Sequence, residues 1–193
     1  LFSDPRITAK PVVTTEGKTV PNKFLVSIAS DATPGVFDAR LLAPLGVSAP
    51  RAFCVDTLPE ITRNKPNHSI ETAFELQPNS ICNATTSNRT VDYFSFQGRK
   101  DQRVTLHCNA TRIDSKLNPV AIVADSHGND LRVNRTSGIL DFTPPADGTY
   151  LIKIHDLTFR GGEKHFYRLA LREVPKTDPV PRQETTARVS SFS

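Results

Sequence analysis

Asp92-Tyr93-Phe94-Ser95-Phe96-Gln97 and Arg103-Val104-Thr105-Leu106-His107-Cys108-Asn109-Ala110 decide the fold class. In the first run Phe94 and Phe96 fall on one side, Ser95 and Gln97 on the other. In the second, Val104, Leu106, Cys108 and Ala110 form an apolar face opposed by polar residues. Side chains of an extended strand alternate sides, so a period of two with one wet face marks antiparallel strands of a sandwich or barrel. Tyr150, Ile152 and Ile154 against Lys153 and His155 repeat the pattern. Turn signals separate such runs: Gln97-Gly98-Arg99-Lys100, the stretch 125–130, Pro145-Ala146-Asp147-Gly148 and Arg160-Gly161-Gly162. The chain reads as all-β.

Outward from these strands, 15 Pro and 9 Gly in 193 residues leave no long amphipathic helical stretch. The single helical candidate is 69–76, capped by Asn67 or Ser69 and stopped at Pro78. Upstream, strand-like runs cover 6–14, 23–29, 36–43 and 47–55, with a turn at Asp31-Ala32-Thr33-Pro34-Gly35. Four strands are half of an immunoglobulin-like sandwich, and an open half exposes an apolar face. The expected organisation is a partial immunoglobulin-like β module over 1–59 and a β-sandwich over 60–175, with 60–67 as a polar linker. A flexible tail or linker is expected over 176–193. Met is absent, so Leu1 is expected not to be a native start and the chain to be a mature or excised piece.

The chain is 37% hydrophobic and 23% charged, the balance of a folded chain. Its net charge is +4, 24 basic against 20 acidic residues. The charges are scattered, so nucleic acid is not an expected partner. No run approaches the roughly 18 apolar residues of a membrane span.

Catalytic signatures are missing: no Gly-x-Ser-x-Gly, His-Glu-x-x-His, Cys-x-x-Cys or glycine-rich phosphate loop occurs. His68, His107, His127, His155 and His165 read as surface histidines, with His107 and His155 on wet strand faces. His155-Asp156 with His165 has no zinc-like spacing and reads as a polar strand end. No catalytic residue and no cofactor is expected. Among Cys54, Cys82 and Cys108, the inward Cys108 and the short run Ser80-Ile81-Cys82 suggest a Cys82–Cys108 disulfide. It would close a loop of about 27 residues and contribute roughly 3–4 kcal/mol; the alternative is two buried thiols acting as small hydrophobes. Asn67, Asn83, Asn88, Asn109 and Asn134 head Asn-x-Ser/Thr sequons, either glycan acceptors or the by-product of Ser/Thr-rich strands.

Residues 60–174 resemble the bacterial pre-peptidase C-terminal domain. The resemblance is carried by Pro66-Asn67-His68-Ser69 with Ala73, Val91-Asp92-Tyr93-Phe94-Ser95-Phe96, and Gln102-Arg103-Val104. It continues through Asp114-Ser115-Lys116-Leu117-Asn118-Pro119, the turn 125–128 and Pro144-Pro145-Ala146-Asp147-Gly148-Thr149-Tyr150. It ends at Arg160-Gly161-Gly162 and Tyr167-Arg168-Leu169. The order of these weak motifs over about 110 residues is the specific feature. It implies a jelly-roll-like antiparallel β-sandwich, not itself an enzyme, appended to an exported protein that is secreted, periplasmic or at the cell surface. Residues 34–55 resemble the closing strands of an immunoglobulin-like module of exported bacterial proteins.

The resemblance also implies a place where some relatives bind calcium. Here acidic residues are replaced by Asn64-Lys65-Pro66-Asn67-His68, and Thr90-Val91-Asp92 keeps one Asp of a pair. Glu60, Asn67 and Asp92 remain as oxygen donors, fewer than the six to eight that calcium takes, and no metal is expected. Asp92 lies on the face of Phe94 and Phe96, so it should point inward and need donors from the 64–69 stretch or from a nearby Arg or Lys. The expected function is a non-catalytic module, a structural spacer or an extracellular binding domain. Its expected partners are other domains of a parent protein and an extracellular polysaccharide or protein. The alternative is an accessory region of a secreted hydrolase or peptidase. Without Trp, and with Tyr150 and Tyr167 pointing inward, an aromatic sugar platform has little support.

Overall fold

The structure, a computed structural model, describes residues 1–175. Alternation is plain in two central strands: β10 (Asp92–Gly98) and β11 (Val104–Asn109) bury every second residue. Two five-stranded sheets result. One has the order β13 (Asp130–Asn134), β12 (Pro119–Ala124), β15 (Gly148–Asp156), β10 and β8 (Phe74–Glu75). The other runs β14 (Ile139–Phe142), β11, β16 (Phe166–Glu173), β9 (Ser80–Thr85) and β7 (Glu60–Thr62). Their facing sides form one core in which Phe94, Ile152, Ile154, Leu169 and Leu171 are fully buried. The chain switches sheets at nearly every step from β7 to β16, as in a jelly roll. That alternation makes the short edge strands β7 and β8 run parallel to β9 and β10, while the remaining pairs are antiparallel. All-β is the observed class.

Residues 69–76 form no helix: Ser69–Thr72 is a bend and turn, and Phe74 opens β8. The Ser69 amide donates to Thr72 Oγ1 at 3.1 Å, a local side-chain bond that competes with helical pairing. Phe74 packs edge-on against Phe94, with ring centroids 6.2 Å apart. Residues 60–67 are no free linker, because β7 pairs with β9 and Asn67 is buried. The Cys82–Cys108 disulfide is absent and both cysteines are free, buried thiols. The register explains it: both cysteines pair with Leu169, from opposite sides of β16. Two strand spacings separate their Cα atoms by about 9.6 Å, whereas a disulfide needs them within about 6.8 Å.

The first 59 residues build two-stranded ribbons instead of sheets. β1 (Ile7–Val13) pairs with β2 (Thr19–Ile28), β3 (Gly35–Ala39) with β6 (Arg51–Val55), and β4 (Leu42–Ala43) with β5 (Gly46–Val47). Only Asp4 and Ile7 are buried there. The immunoglobulin-like expectation thus meets an arrangement without a sandwich of its own. β6 is tied to the module behind it: the Ala52 amide donates to Asp114 Oδ2 at 2.9 Å, and Arg172 pairs with Asp56 at 2.7 Å. The tail expected over 176–193 lies outside the described residues. Among the described residues no helix is long and apolar enough to cross a membrane.

Candidate functional site

The densest set of ionisable groups sits where the chain enters β10. Asp92 is the first residue of that strand and its side chain is completely buried, as its alternation with Phe94 requires. Tyr167, on β16 of the opposite sheet, donates its hydroxyl to Asp92 Oδ2 at 2.6 Å. Arg63, just after β7, brings Nη1 to 3.5 Å from Asp92 Oδ1, and His68 Nδ1 lies 3.3 Å from the same oxygen. Both are ion-pair distances, but Oδ1 lacks a well-formed hydrogen bond, as does Arg63 Nε. The expected arginine is therefore present. The expected backbone donors are not; Tyr167 takes that part.

Asn67 is the clasp that holds the 63–68 stretch in place. Its Nδ2 donates to the Tyr93 carbonyl at 2.6 Å, and the Tyr93 amide donates to the Asn67 carbonyl at 2.7 Å. Arg63 Nη1 donates to Asn67 Oδ1 at 2.7 Å and its Nη2 donates to the Thr85 carbonyl. One guanidinium thus joins β9, the 63–68 stretch and the start of β10. Burial pushes the Asp92 carboxyl up from its ordinary value, against the Tyr167 hydrogen bond, the Arg63 charge and the neighbouring His68 ring. Burial also drives the Tyr167 hydroxyl well above its usual range, with the Asp92 charge adding to it. It lifts the Cys82 thiol to about 11 and raises Cys108 further.

The calcium candidates do not fit a cation here. Glu60 spends both oxygens on Arg168, at 2.7 and 2.8 Å, and accepts from Asn83 Nδ2 at 2.9 Å. Asn67 Oδ1 and Asp92 Oδ1 already face the Arg63 guanidinium, so a divalent ion would meet a positive charge instead of water. His155, Asp156 and His165 do not combine either. His155 stacks on Phe159 with centroids 4.3 Å apart. Asp156 is buried and accepts from the Asn118 amide at 2.9 Å, the Thr158 amide at 2.8 Å and hydroxyl at 2.7 Å, and the Arg160 amide at 3.2 Å. Burial raises its carboxyl, but these bonds outweigh burial and hold it at about 2.

The resemblance grouped Asp92 with Asn67, and alternation turned Tyr167 inward, but nothing in the sequence paired Tyr167 with Asp92 or singled out Arg63. Arg63 is one arginine in a polar stretch, and Tyr167 sits in an ordinary strand. Nor did alternation reveal Phe166, which lines an open depression beside β6.

No family model matches this chain, and no curated protein does either. Among solved structures it is similar to the pre-peptidase C-terminal domain of collagenase from Bacillus anthracis, at 12% identity and a TM-score of 0.43, over 56% of this chain and 99% of that one. It is also similar to PliG of Aeromonas hydrophila, a periplasmic inhibitor of g-type lysozyme, at 16% identity and a TM-score of 0.41, over 62% of this chain and 100% of that one. Neither likeness bears on function.

Proposed function

We propose that residues 60–175 are a pre-peptidase C-terminal-like module of an exported bacterial protein, non-catalytic, acting as spacer or as an extracellular binding domain. The observation that carries this reading is the sealing of the Asp92 cluster. An acid, a base or a nucleophile must reach substrate, and here the carboxylate is fully buried while Tyr167 is spent on it. Arg63 and Asn67 act likewise on the protein's own groups, so the cluster serves stability. The chain incubated with casein, gelatin and chromogenic esters and glycosides should show no turnover above a heat-denatured control. Turnover lost in a folded Asp92→Asn variant would overturn the reading. Fractionation of the producing bacterium with an antibody checks export; retention in the cytoplasm would remove that half of it.

A further inference from the structure

Three depressions run into one another along the side of the sandwich that faces β6. The first, about 650 Å³, lies between β6 and the sheet edge of β7 and β9. A second, about 490 Å³, shares Ala52, Ile113 and Phe166 with it. The third, about 460 Å³, shares Lys116 with the second. Arg51, Lys116 and Lys164 line the middle section, and Lys116 and Arg160 the far one. All four are exposed.

The acidic groups of these walls are already occupied. Asp114 accepts from the Ala52 amide and lies 3.9 Å from Arg51, while Asp156 accepts from its own turn on Oδ1 and from the Asn118 amide on Oδ2. Among the described residues, Lys116, Lys164 and Arg160 have no carboxylate at salt-bridge distance. His165 Nδ1, in the wall of the third depression, is buried without a hydrogen-bond partner. The groove therefore holds unspent positive charge, with Phe166 at the junction of its first two sections.

We propose that this groove binds an acidic polysaccharide, its carboxylate or sulfate groups on Lys116, Lys164 and Arg160 and a sugar face against Phe166. The proposal rests on the binding-domain reading above and names its ligand class. Cations spaced along an open groove match a polymer with a charge on successive units. A single aromatic ring suits one sugar face better than the run of stacking platforms by which single-stranded nucleic acid is held.

Affinity electrophoresis of the 193-residue chain in gels containing polygalacturonate, dextran sulfate or neutral dextran tests it. Retardation is expected in the two acidic gels. Lys116→Gln/Arg160→Gln/Lys164→Gln should weaken it by about tenfold or more, as three exposed charge contacts of about 0.5 kcal/mol predict. A control with the same charge removed from the first ribbon, Lys10→Gln/Lys18→Gln/Lys23→Gln, should change it less than about twofold. Equal losses in both variants would reduce the effect to net charge and overturn the groove. So would stronger binding to poly-glutamate or polyadenylate than to polygalacturonate. Retention on neutral dextran untouched by the groove variant would leave a binding module standing and remove this ligand class; no retention on any polymer would overturn the ligand class and leave the spacer reading.

Discussion

The ribbons of 1–59 and the sandwich of 60–175 are made of the same kind of strand and differ almost completely in burial. β2 carries Phe24, Val26 and Ile28 on one face, paired with Pro11, Ala9 and Ile7 of β1, an apolar stripe of the kind the sandwich buries. Yet Phe24 and Ile28 are each 45% exposed, whereas Phe94 and Ile152 are fully buried. Alternation makes a strand; only a second facing sheet makes a core. A two-stranded ribbon offers one apolar face and nothing to cover it.

The comparison breaks most visibly at its aromatic residues. Phe94→Ala should lower stability by about 3–5 kcal/mol in urea unfolding, and Phe24→Ala by less than about 0.5 kcal/mol. A similar cost at both positions would mean that the ribbons unfold cooperatively with the sandwich. Next comes Arg63→Met, which strands a buried carboxylate and should cost about 3 kcal/mol at pH 7. Its sign with pH is defined. The folded Asp92 carboxyl titrates above its unfolded value, so the folded state is favoured in acid and disfavoured as pH rises through the folded value. The deficit should therefore shrink on acidification, and Arg63→Met/Asp92→Asn should recover stability over Arg63→Met alone. A deficit independent of pH would show that Arg63 acts only through Asn67 and Thr85.

Asp156→Ala should cost about 2 kcal/mol at pH 7 by linkage from a carboxyl held at about 2. The folded value lies below the unfolded one, so this contribution is present above about pH 4 and lost as pH falls toward 2. Thermal melts from pH 7 to 2 should show wild type and variant converging; a constant gap would move the effect to packing. The smallest expected effect is none: reductant should leave the melting temperature unchanged, and unfolding without reductant should expose three alkylatable thiols. A mass showing one thiol would restore the Cys82–Cys108 bond and force a different strand order, with β9 and β11 no longer separated by β16.

What was legible followed from period two. β10, β11 and β15 could be read because one side is wet. β12 hid in the same sequence: all six of its residues are buried, so Pro119-Val120-Ala121-Ile122-Val123-Ala124 never alternates. The disulfide failed for a related reason. The inward reading of Cys108 was correct and Cys82 is buried as well, but which strand lies between them is a matter of sheet order, and β16 lies 58 residues or more beyond Cys108 (166 − 108). Asp92 was readable as an inward carboxylate because its neighbours alternate. Its partners come from β16 and from beyond β7, and no local pattern encodes such long-range meetings.

The edge strand β7 carries a consequence for how the module comes into being. Glu60 clasps Arg168, 108 positions later, and β7 pairs with β9, which in turn pairs with the last strand, β16. On the ribosome β7 can meet β9 once both have emerged, but the other edge of β9 must wait unpaired, and Glu60 without Arg168, until β16 has emerged. Closure of so distant a pairing places such β topologies among the slow folders, at about milliseconds to seconds. During that wait the alternating faces of β9, β10 and β11 are open to pairing with other chains. A ribosome-stalled chain ending before β16 should be cut readily by protease within 60–160, and the 193-residue chain should resist there.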